Sequence, residues 1–109
     1  GLKMTKIEIT DANPRYYLSF DGHATGSAEV CAAISALMFS LEGYLRNHEE
    51  DLFLHSSKVD NPGRGYISFE LEDPAKDIQG AFELVTIGLL QIADSYPEFC
   101  TVKINKIKN

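Results

Sequence analysis

Cysteine is scarce in this chain. Cys31 and Cys100 are its only two, too few for the disulfide framework of a small secreted domain and without the CxxC spacing of a zinc site or a dithiol redox centre. Free thiols in a reducing cytoplasm are the expected state. Basic charge is also short, with ten Lys and Arg against sixteen Asp and Glu and a formal charge of −6. A general DNA or RNA clamp, which neutralises phosphates with a basic surface, is disfavoured, so no direct nucleic-acid partner is expected. Long apolar runs are missing as well. The longest uncharged stretch, from residue 30 to residue 41, is short for a membrane span, and the amino end has no basic-then-apolar leader. No membrane partner and a cytoplasmic location are expected. Repeats, linkers and low-complexity tracts are absent too. At 109 residues with 44% apolar composition, one domain over 1–109 is the expectation.

What is present reads as alternating strands and helices. Residues 5–10 and 16–21 are β-rich, and Asp11-Ala12-Asn13-Pro14 between them is turn chemistry, which predicts a hairpin. From Ala28 to about Asn47, Val30, Ala33, Ile34, Leu37, Met38, Leu41 and Tyr44 recur at helical spacing, with Ser27 as N-cap and Glu29 complementing the helix dipole. A charged run at 48–51 precedes a short strand at 52–55. The turn at 61–65 then leads into the strict alternation of 66–72, a second hairpin. Asp73-Pro74 reads as an N-cap followed by proline at the first helical position. Ile78, Phe82, Val85, Leu89, Ile92, Ala93 and Tyr96 mark one face of that helix. Leu84, Ile87, Gly88 and Leu90 lie off the face, which predicts burial on more than one side. A last strand spans 99–107. The order ββαββαβ is that of an α+β two-layer sandwich, one mixed or antiparallel sheet with two helices packed on one face.

The chemistry concentrates between residues 21 and 37. A histidine, His23, follows a strand; a loop of small residues comes next; and Cys31 falls in the first turn of a helix. The positive end of a helix and a nearby imidazole are two standard ways to favour a nucleophilic thiolate, and this layout offers both. First-turn amides near Cys31 are expected to be available for a developing oxyanion. The small residues around the cysteine, Ala28, Ala32, Ala33 and Ser35, leave room for a peptide, and Gly22, Ala24, Gly26, Ala32 and Ser35 are the candidate substrate-binding positions. Taken by itself, Cys31 reads as a buried small hydrophobe, because free cysteine is among the most buried residue types. Asp21 and Glu29 are each open to two readings, as groups that orient the imidazole or as a solvated strand residue and a dipole partner. His48, His55 and the acidic run at 49–51 show no metal-ligand spacing and read as a solvated loop; no metal or cofactor is expected.

Gly22-His23-Ala24 together with Val30-Cys31-Ala32-Ala33-Ile34-Ser35-Ala36-Leu37 resembles the signature of the ribosomal-processing cysteine proteases, the Prp type, of Gram-positive and related bacteria. The resemblance extends in length and element order over essentially the whole chain. It implies a homodimeric α+β fold, His23 as general base, Cys31 as nucleophile, and removal of a short N-terminal extension from a large-subunit ribosomal protein. Two departures stand out: only seven residues separate His23 from Cys31, a short loop for the family, and Glu29 stands where the family commonly has Asp. The alternatives are a non-catalytic homodimeric module that holds an extended peptide at a sheet edge or in the cleft beside residues 22–26, and a phage-type member acting on a virion protein.

Overall fold

The computed structural model describes residues 4–22, 27–60, 63–73 and 75–108. Alternation at the amino end forms β1 (Thr5–Ala12) and β2 (Arg15–Asp21), joined by a tight turn in which the Asn13 amide donates to Asp11 Oδ1 at 3.3 Å. Then follow α1 (Ala28–Arg46), a 3₁₀ turn (Glu49–Asp51), β3 (Leu52–Lys58), β4 (Arg64–Leu71), α2 (Lys76–Ser95) and β5 (Cys100–Lys106). The strands make one mixed sheet in the order β3-β4-β2-β1-β5, antiparallel except for β1 against β5. Those pairings make β2 parallel to β3 and β4 parallel to β5. Parallel strands need a crossover, and α1 and α2 are the two crossovers.

Side chains alternate across the sheet. Ile7 and Ile9 of β1, Tyr16 and Leu18 of β2, and Ile67, Phe69 and Leu71 of β4 are buried on one face, while Lys6, Glu8, Tyr17 and Tyr66 stand exposed on the other. The helices cover the apolar face. From α1 come Val30, Ile34, Met38, Leu41 and Leu45, and from α2 come Ile78, Phe82, Val85 and Leu89. Each such side chain stabilises the fold by about 1.5 to 3 kcal/mol relative to exposure. Tyr16 stacks on Phe69 with ring centroids 5.0 Å apart and meets Phe82 at 4.9 Å. By length and composition α1 could cross a membrane, but here its apolar stripe packs on the sheet.

The entry to α1 follows the sequence. Ser27 is the N-cap, in extended conformation, and its Oγ accepts the Val30 amide at 3.2 Å. The start of α2 does not. Ala75 occupies the cap position with no side-chain cap, and the Gln79 amide makes the opening bond to the Ala75 carbonyl at 3.0 Å. Asp73 lies in a bend before the helix, and Pro74 is outside the described residues. Ala75, at φ −114° and ψ 95°, is still extended, so helical geometry cannot begin before Lys76.

The expected burial of α2 on more than one side holds for Gly88 but not for the three large side chains off the main face. Gly88 does sit at the helix pair, where a Cβ would press on the Leu37 side chain, but Leu84, Ile87 and Leu90 are exposed, Leu84 by 70%. One sheet face and one neighbouring helix cover two sides of α2, and among the described residues nothing covers the third. β3 extends to Lys58, beyond the expected end at residue 55, because the polar Ser56 and Ser57 still pair with Ser68 and Ile67 of β4.

Candidate active site

Cys31 lies in the opening turn of α1, half-buried, and its amide donates to the Ser27 carbonyl at 3.3 Å. Beside it opens a cleft of about 250 Å³. Phe20 of β2, Ile34 and Phe39 of α1, and Val59 after β3 form an apolar wall. Gly22 and Gly63 bring backbone to the rim, where the Gly22 amide donates to the Gly63 carbonyl at 2.9 Å. Gly22 has φ +105°, and a Cβ there would collide with the Met4 carbonyl. Only glycine accepts both demands at the end of β2.

Three of the expected site residues, Gly22, Cys31 and Ser35, share this cleft. Ala32 is exposed and is not among the residues lining it. His23, Ala24 and Gly26 lie outside the described residues. The sequence reading missed Phe39, although Cys31, Ser35 and Phe39 stand at four-residue steps on one helical face, a signal already present in the α1 periodicity. Val59, Asp60 and Gly63 reach the cleft only through the β3–β4 hairpin, and no local pattern announces them.

The expectation for the oxyanion donors is changed by the cap. The Val30 amide is taken by Ser27 Oγ and the Cys31 amide by the Ser27 carbonyl. The first-turn amides left without an intrahelical partner are those of Ala28 and Glu29. Glu29 itself accepts a hydrogen bond from Tyr96 Oη at 3.3 Å, which ties the start of α1 to the end of α2, and Asp21 accepts one from Arg64 Nε at 3.3 Å.

Cys31 and Cys100 carry no disulfide. Cys100 is buried on β5, paired with Thr5 of β1, and burial pushes its thiol above the ordinary range, which keeps it protonated and inert. The acidic run is not simply a solvated loop. Glu49 Oε1 lies 2.7 Å from Nδ1 of His55, whose side chain is nearly buried, and Nε2 of the same ring lies 3.1 Å from Ser57 Oγ. Ser57 in turn donates to Glu42 Oε2 at 2.7 Å, so this network fastens the 3₁₀ turn and β3 to α1. Among the described residues, no three His, Cys, Asp or Glu side chains are grouped to hold a metal ion.

Comparison with known proteins agrees with this arrangement. The family model for cysteine protease Prp matches residues 4–101. The ribosomal processing cysteine protease Prp of Mycoplasma genitalium is 32% identical over 103 residues, covering 91% of this chain and 94% of that protein. A crystal structure from Streptococcus mutans, 26% identical, superposes with a TM-score of 0.68 over 95% of this chain and 96% of its own. The Staphylococcus aureus ribosomal processing protease Prp, solved with a substrate peptide, shares the fold at a TM-score of 0.74 and 18% identity, over 94% of this chain and all (100%) of that one. With a thiol at a helix start beside an apolar cleft, and a family match along nearly its whole length, the chain belongs to the Prp family of cysteine proteases.

Proposed function

We propose that this protein is a cytoplasmic endopeptidase that removes a short N-terminal extension from a large-subunit ribosomal protein. The observation that carries the reading is Cys31, in the first turn of α1 and on the wall of an apolar cleft wide enough for a peptide side chain. The name of the Mycoplasma genitalium relative supports the ribosomal substrate. In the proposed mechanism His23 takes the proton of the Cys31 thiol, and the sulfur attacks the scissile carbonyl carbon. Amides at the start of α1 face the developing oxyanion charge with the positive end of the helix dipole behind them. The C–N bond then breaks as the imidazolium gives its proton to the leaving amine. Water, deprotonated by the same imidazole, hydrolyses the thioester and restores the thiol. No metal or cofactor enters this sequence.

The test is incubation with the unprocessed ribosomal protein and with peptides spanning its extension, read by mass spectrometry. One specific cut that frees the mature N-terminus is expected; intact substrate, or cuts scattered along the peptide, would sink the assignment.

A homodimer completes the proposal. Leu84, Ile87 and Leu90 on α2, with Ile104 and Ile107 at the end of β5, form exposed apolar surface that one small domain does not cover. Light scattering at tens of micromolar protein should give twice the mass of the chain. A monomer mass at that concentration would remove the dimer.

A further inference from the structure

The cleft beside Cys31 is lined, among the described residues, mainly by apolar side chains, with the small hydroxyls of Thr5 and Ser35 among them. Among the described residues that line it, Asp60 is the only ionisable group apart from the thiol, and it is exposed where the chain leaves β3. The two nearby arginines are engaged elsewhere: Arg64 Nε meets Asp21 at 3.3 Å, and Arg46 lies 3.4 Å from Glu42. Asp60 enters no ion pair among the described residues, including with Lys58 two positions before it. A carboxylate outside these ion pairs, lining the same cleft as Phe39 and Val59, makes with them a matched pair of surfaces for a side chain with an apolar stem and a cationic head. Apolar wall favours the methylenes of lysine or arginine, and the carboxylate favours the charge.

Resting on the protease reading above, we infer that Asp60 is a specificity-determining residue, which selects peptides that place a Lys or Arg side chain along the Phe39 and Val59 wall with its charge at the mouth of the cleft. The overall charge of −6 acts in the same direction at longer range, drawing basic chains toward the protein. Asp60 performs no chemical step; it acts on which substrate is held and in what register.

The experiment uses internally quenched peptides based on the ribosomal extension, each position around the scissile bond carrying Lys, Gln or Glu in turn. At one position Lys should exceed Gln by about three- to tenfold in kcat/KM, with Glu lower still, and 0.5 M salt should shrink the difference. Asp60→Asn should bring the Lys-to-Gln ratio at that position to about one, and Asp60→Lys should invert the preference toward Glu. Lys preference at no position, or a preference that survives Asp60→Asn, overturns the inference. Fluorescence anisotropy of the same peptides on Cys31→Ala separates the two layers of the argument. Asp60-dependent discrimination in binding without any cleavage by the native protein would refute the protease reading and support the role of Asp60. Neither binding nor cleavage would refute both.

Discussion

Replacing Cys31 with serine is expected to leave the melting temperature within a few degrees of the native value and to lower peptide cleavage by roughly a thousandfold or more. The asymmetry follows from where the residue sits. Cys31 is half-buried at a helix start, so a hydroxyl there still reaches solvent or the cleft and costs less than about 1 kcal/mol of stability. Chemistry is less forgiving, because a serine hydroxyl is far less acidic than a thiol and a single imidazole in this setting activates it poorly. Under the proposed mechanism His23→Ala should cost nearly as much activity, and the double variant little more, since the proposed base and nucleophile act as one unit. Turnover that survives in Cys31→Ser, or that falls only in step with unfolding, would overturn both assignments.

The second large effect is expected at Gly22. Alanine there must hold φ +105°, which costs roughly 1 to 3 kcal/mol in itself, and its Cβ collides with the Met4 carbonyl just before β1. The strand end has to move, and the hydrogen bond from the Gly22 amide to Gly63 is lost with it. Gly22→Ala should therefore lower the melting temperature by some 5 to 15 °C and reduce cleavage further than the stability loss explains, because both rims of the Cys31 cleft shift. Gly80 makes the control. Its Cβ would meet nothing, and it lies inside α2, so Gly80→Ala should stabilise by up to about 1 kcal/mol. Equal melting temperatures for the two alanine variants would contradict this account of Gly22.

How far the sequence carries can be judged from these same elements. α1 is legible because Val30, Ile34, Met38 and Leu41 keep helical spacing from a serine cap, and the alternation of β4 is complete enough to place Ile67 and Phe69 inside. The start of α2 misleads, since Asp73-Pro74 is good capping chemistry that the backbone at Ala75 does not use. Propensity near an end is worth about 1 kcal/mol, and the docking of Ile78 and Phe82 on the sheet outweighs it. At the site, the helix supplies Cys31, Ser35 and Phe39 in one local stripe. Asp60 and Val59 come from a hairpin nearly thirty residues later, and only the pairing of β4 between β3 and β2 brings them to the same cleft. The link between His55 and Glu49 was hidden for the same reason: the 3₁₀ turn folds the acidic run back over β3, which residue spacing does not reveal.

The central claim, that Cys31 is the nucleophile, is tested most directly by trapping its acyl intermediate. The protein is mixed with the unprocessed ribosomal protein, quenched in acid within the first turnovers, and analysed by intact and peptide-level mass spectrometry. The account predicts an adduct with the mass of the released N-terminal segment less one water, held as a thioester on the peptide that contains Cys31 and absent from Cys31→Ala. Cleavage that proceeds in Cys31→Ala, or an adduct found on Cys100 in place of Cys31, would contradict it.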